Sequence, residues 1–134
     1  MFPVFDLKSV VRELAEALNA IFEPSGSGFS IEVPLRQDRY QSVTLTLAGD
    51  TVELVSTVHE LDRASQATID RYAKRAKGCK VSLEHDRESD SYVASVRARV
   101  AKKDATRQAL EPLLMEVASL GDGIERELTG GDVD

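Results

Sequence analysis

The sequence predicts an α+β domain whose elements run α-β-β-β-α-β-β-α, with five strands in one antiparallel sheet and helices covering it. Three observations carry that expectation. Gln41 to Val58 alternates apolar and polar residues on both sides of Gly49-Asp50, as a β-hairpin does. Cys79 to Val100 repeats the pattern around a polar loop. At each end of the chain, apolar residues recur at three- and four-residue steps, the period of an amphipathic helix.

Along the chain, Leu7, Val10, Val11, Leu14, Leu18, Ile21 and Phe22 form the first helical stripe, with Asp6 placed as its N-cap. Pro24 to Gly28 ends that helix and reads as a flexible connector; the lysine of a phosphate-binding loop is missing there. Phe29, Ile31, Val33 and Leu35 give the first strand, which Pro34 pushes to an edge or a strand end. A loop over Arg36 to Tyr40 pairs Val33 with Val43 and Ile31 with Leu45. In the central hairpin a glycine-first loop suits a type II′ turn, pairing Leu47 with Val52, Leu45 with Leu54 and Val43 with Ser56.

From Asp62 to Lys77 the period becomes helical, with Asp62 or Ser65 as cap, Gly78 at the C′ position and a thin stripe of Ile69, Tyr72, Ala73 and Ala76. Positive charge gathers here in Arg63, Arg71, Lys74, Arg75, Lys77 and Lys80. A patch for an acidic partner is one reading, but the helix dipole accounts for cations in a last turn without any partner. The second hairpin pairs Leu83 with Tyr92 and Val81 with Ala94 if its loop is Asp86 to Ser89. The last helix runs from a cap at Asp104 to about Leu128, with Pro112 expected to bend it and Gly121-Asp122-Gly123 opposing a straight rod. Residues 1–128 are thus expected to form one domain, and Thr129 to Asp134 a mobile acidic tail.

The 134 residues are enough to bury a core without disulfides or metals, and a hydrophobic share of 42% supplies it. A net charge of -6 argues against nonspecific nucleic-acid binding, which depends on cations facing phosphates. One cysteine, Cys79, forms no internal disulfide, and neither a signal peptide nor a run of about 20 apolar residues is present, so a cytoplasmic, membrane-free protein is expected.

Sites for chemistry are sparse. His59-Glu60 and Glu84-His85-Asp86 pair histidine with carboxylate, yet the two histidines lie on different strands, and a metal needs three or four converging ligands. Asp86, Glu88 and Asp90 imitate the start of a calcium loop, but its sixth and twelfth positions are Ser91 and Arg97 rather than glycine and glutamate. Cys79 falls on the apolar side of its strand, where it reads as a small hydrophobe. No catalytic, metal or cofactor site is expected, and the chain does not read as an enzyme.

The element order, the acidity and the ending IERELTGGD at Ile124 to Asp132 resemble the type III secretion chaperones and the related YbjN-like proteins of bacteria. The resemblance implies a strongly bent sheet, and a homodimer that holds an extended peptide of a partner protein without ATP or another cofactor. Val55 and Val93 interrupt the polar side of the strands, and with Tyr40 as an aromatic anchor they are the candidate peptide-binding residues. Ile69, Tyr72, Ala73 and Ala76 are the candidate dimer interface. The alternatives are a regulatory or scaffold dimerisation domain, or a small-molecule binder or enzyme with an unrecognised pocket.

Overall fold

The computed structural model describes residues 5–129. Helix α1 (Leu7–Leu18) opens on Asp6, whose side chain accepts from the Lys8 N–H as an N-cap does. It stops four residues short of Phe22. Asn19 turns left-handed (φ 54°) and returns its N–H to the carbonyls of Ala15 and Glu16, which closes the helix. Ile21 and Phe22 then belong to a strand, β1 (Ile21–Ser25), which the sequence reading absorbed into the helix and its connector.

The sheet therefore has six strands, in the order β1-β2-β3-β4-β6-β5, every neighbouring pair antiparallel. The others are β2 (Gly28–Pro34), β3 (Tyr40–Ala48), β4 (Thr51–Leu61), β5 (Lys80–Asp86) and β6 (Ser91–Ala101). Pro24 lies in β1, an edge strand, where its missing N–H breaks no ladder. Gly26 supplies the positive φ (55°) of the two-residue turn into β2, and Gly49 (61°) does the same between β3 and β4.

In the central hairpin, Leu45 opposes Leu54 and Leu47 opposes Val52, as the turn chemistry requires. The ladder ends at Thr44 and Val55, so the expected Val43–Ser56 pair is absent. Two loop placements are also corrected. Leu35 leaves β2 to donate its N–H to the Arg39 carbonyl (2.7 Å), so Ile31 faces Val43 and Val33 faces Gln41. Asp86 stays in β5 and caps the next turn, accepting from the Glu88 N–H and the Ser89 hydroxyl, so Leu83 faces Ala94 and Val81 faces Val96. Each slip moves the pairing by two residues, and a two-residue slip leaves every side chain on its original face.

Helix α2 (Gln66–Arg75) follows a short 3-10 turn, and neither Asp62 nor Ser65 caps its N–H groups with a side chain. Its C-cap is Ala76, so Gly78 is not the C′ residue. Gly78 instead lies under the third helix, where an added Cβ would stand 2.6 Å from Leu113 Cδ2. Helix α3 (Arg107–Thr129) begins behind Thr106, whose hydroxyl accepts from the Ala109 N–H; Asp104 belongs to a preceding 3-10 turn. Pro112 sits inside α3, and the helix also continues through Gly121-Asp122-Gly123. These glycines are contact points. A Cβ on Gly121 would lie 2.6 Å from Ser56 Oγ, and one on Gly123 would lie 2.9 Å from the Tyr72 ring. Helix α3 thus includes Thr129, one residue past the expected domain boundary, and the rest of the expected tail, residues 130–134, lies outside the described residues.

All three helices contribute to one apolar core with one face of the sheet: Leu14 of α1, Ile69 of α2 and Leu114 of α3 are buried with Val43, Leu54 and Val96. Where β3 and β4 part, that face turns polar. Gln41 donates to Ser56 across the gap (2.9 Å), beside Gly121. Next to it, Arg39 grips Asp122 of α3 through two guanidinium nitrogens.

Candidate functional site: the outer face of the sheet

Because side chains alternate along a strand, the residues opposite the core form a second face. It carries Ser30 and Glu32, Ser42 to Thr46 at every second position, Glu53, Val55 and Thr57, and Val93 to Arg99 at every second position, with Lys80, Ser82 and Glu84 at the β5 edge. Among the described residues no helix packs on it, since all three helices share the core on the other side. Hydroxyl pairs bridge its strands, as between Ser30 and Ser42 (2.8 Å).

All three candidate peptide-binding residues map to this face. Val55 is half-buried between Thr44 of β3 and Arg97 of β6; Val93 is half-buried opposite Glu84; Tyr40, 61% exposed, opposes Pro34 at the start of β3. They do not form one patch. Val55 is level with Arg97, four residues along β6 from Val93, a separation of roughly 13 Å filled by Thr57 and Ser95.

The four candidate dimer residues divide differently. Ile69 and Tyr72 are only 1% and 7% exposed within the chain's own core. Ala73 is exposed on α2, and Ala76, its C-cap, is half-buried. Burial and the neighbouring Glu127 carboxylate push the Tyr72 phenol up, and its hydroxyl donates to Glu127 at 3.2 Å.

The histidines keep separate company. His59 bonds the Thr57 hydroxyl (3.1 Å), while His85 bonds Asp90 (3.1 Å) and packs on Tyr92. Asp86 serves its turn, and Asp90 takes a left-handed conformation to complete it. Among the described residues, no group of three His, Cys, Asp or Glu side chains is placed to hold a metal ion, and no helix is long and apolar enough to cross a membrane.

One feature escaped the sequence reading. At the β5 edge a cavity of about 520 Å³ opens between Lys77–Ser82 and Ala98–Arg99, lined by Lys77, Lys80, Arg97 and Arg99. The signal was present in the alternation of Arg97 and Arg99 along one strand. What a single strand could not show is that Lys80 pairs with Arg97.

The chain has the type III secretion chaperone-like fold, α-β(4)-α-β(2)-α with one six-stranded antiparallel sheet. It is similar to YbjN, a candidate transcription regulator from E. coli, at 11% identity and a TM-score of 0.63, covering 93% of this chain and 96% of that one. It is also similar to a chain of the HopA1-SchA chaperone-effector complex (13%, TM-score 0.59, 89% and 92% covered). An uncharacterized protein from Methanothermobacter thermautotrophicus matches at 12% and a TM-score of 0.56, with 92% and 97% covered. No protein-family model matches the chain, and no curated protein matches its sequence.

Proposed function

We propose that the chain is a non-enzymatic, chaperone-like protein that, as a homodimer, holds an extended segment of a partner protein against the outer face of its sheet. The observation that carries this is the one-sided packing: among the described residues the six strands have all their helices on one face, and the edge strands β1 and β5 have no outer strand neighbour. An extended chain binds such a surface by backbone pairing at an edge and by side-chain contacts across the strands. Val55, Val93 and Tyr40 supply the apolar contacts. Likeness in fold to a chain from a chaperone-effector complex supports a protein partner. The dimer uses the surface of α2 around Ala73 and Ala76, since Ile69 and Tyr72 are already engaged within the chain.

The test is affinity capture from the native cell extract, identification of the bound chain, and repetition with Val55→Asp/Val93→Asp. The double variant is expected to bind that partner about tenfold more weakly, about 1.4 kcal/mol, while staying folded. Equal capture by a folded variant would reject the outer face. Light scattering that shows a monomer at every micromolar concentration would reject the dimer. A second reading, a regulatory domain whose dimer surface is its function, draws on the likeness to YbjN and predicts a dimer that captures no extended chain.

A further inference from the structure

The helix dipole does not explain all of the positive charge gathered around α2. That helix ends at Arg75, and Ala76 is its C-cap. Lys77 lies beyond the cap and Lys80 opens β5, so neither is a last-turn cation. Arg71 is used inside the molecule, paired with Glu127, and Arg75 sits 4.7 Å over the Tyr72 ring. Lys77 and Lys80 have no ion pair among the described residues, and both line the 520 Å³ cavity with Arg97 and Arg99.

Among the described residues no carboxylate lines the cavity. Glu53 bonds Arg99 (2.9 Å) and stands 3.8 Å from Arg97, whose Nε is buried without a hydrogen bond. Glu116 is held by the N–H groups of Lys77 (2.7 Å) and Gly78 (2.9 Å). On a chain of net charge -6, four cations therefore converge on one opening, Arg97 and Arg99 sharing the single carboxylate of Glu53 while Lys77 and Lys80 have no ion pair among the described residues.

The cavity also has a backbone wall. The β5–β6 ladder begins at Lys80 opposite Arg97, whereas β6 continues to Ala101. Residues Ala98 to Ala101 are paired with β4 on one side and have no strand on the other. Ala98 is only 2% exposed, so the edge that reaches the surface is residues 99–101, roughly 10 Å.

We propose that this notch receives an acidic extended segment of the partner protein, which continues the track of β5 beside residues 99–101 and sets its carboxylates against Lys77, Lys80, Arg97 and Arg99. The inference rests on the reading that the chain holds an extended segment, and adds where and with what charge. A small anion would use the cations and leave the strand edge empty; an acidic strand uses both. The acidic remainder of the surface repels such a segment and steers it to the notch.

The test measures fluorescence anisotropy with the full chain and a labelled, capped octapeptide alternating Asp and Val. Comparators are the Asn-Val peptide, the Asp-Val peptide with alternate amides N-methylated, and inorganic phosphate as competitor. The Asp-Val peptide is expected to bind, to weaken as salt rises, and to lose about tenfold in affinity in Lys77→Glu/Lys80→Glu, whose two sites are exposed. Absence of binding, or equal binding by the Asn-Val peptide or the double variant, would overturn the acidic assignment. Equal binding of the N-methylated peptide, or displacement by phosphate as effective as by unlabelled peptide, would make the notch a small-anion site and overturn strand pairing. If a captured partner binds the parent chain and Lys77→Glu/Lys80→Glu alike, the notch fails and the broader reading stands. If the peptide behaves as expected and the parent chain captures no partner, the notch binds an acidic strand, and its assignment to a partner protein falls with the broader reading.

Discussion

The two faces of this sheet are built from the same strands and do opposite things. On one side, Ile31, Val43, Leu45, Leu54 and Val96 are 0 to 1% exposed under three helices. On the other, the intervening residues are mostly Ser, Thr, Glu and Arg, with two valines, Tyr40 and Lys80 among them, and no helix among the described residues lies above them. A sheet needs only one apolar face to fold, so the second face is released from packing and its residues can be chosen for what they touch. Folding energy should therefore sit on the first face and recognition on the second, and substitutions on the two faces should differ accordingly.

The largest effect belongs to the core face. Leu45→Ala or Leu54→Ala should cost roughly 2 to 5 kcal/mol, because each removes a fully buried side chain from a close-packed site. Val55→Ala, one position along β4 on the opposite face, should cost well under half of that. Denaturant midpoints measure all three, and similar losses for Leu54 and Val55 would break the division.

A smaller effect is expected at Gly121, where the helix meets the gap between β3 and β4. Replacing a mid-helix glycine by alanine ordinarily stabilises by up to ~1 kcal/mol. Here the new Cβ would stand 2.6 Å from Ser56 Oγ and 3.2 Å from Gln41 Nε2, so Gly121→Ala should instead destabilise by about 1 to 3 kcal/mol. A gain in midpoint would show that α3 does not press on the sheet at this point.

This contrast marks what was legible in the sequence. The faces of β2 to β6 could be read, because alternation fixes faces and survives the two-residue slips at Leu35 and Asp86. The β1–β2 hairpin could not, although its Gly26-Ser27 loop uses the same chemistry as Gly49-Asp50. Ile21 and Phe22 happen to fall at helical spacing from Leu14 and Leu18, and Pro24 speaks against a strand unless the strand is known to be an edge. Gly121 and Gly123 looked like helix breakers for a related reason. Their function is close approach to Ser56 and Tyr72, which are distant in sequence. The cationic notch needed the β5–β6 register before Lys80 and Arg97 could be placed side by side.

The smallest effect tests whether the two faces stay separate within single residues. Cys79 stands in sequence next to Lys80 and two residues from Lys77, and cations that close to a thiol lower its pKa. In the structure Cys79 belongs to the core side, half-buried, whereas Lys80 belongs to the outer face. Burial, with the Glu116 carboxylate beside it, therefore pushes the thiol up to about 11. Native protein treated with iodoacetamide across pH should show an alkylation rate still rising above pH 10, whereas the unfolded chain should turn over near the ordinary thiol value of about 8.5. Since the folded state keeps a proton that the unfolded state gives up, this group's contribution to stability should fall as pH rises from about 9 toward about 11. Glu116→Gln should move the alkylation profile to lower pH by removing the carboxylate. An alkylation midpoint below 8 in the native protein would mean that the lysine charges reach the thiol, and that the sheet does not keep its two faces apart at this edge.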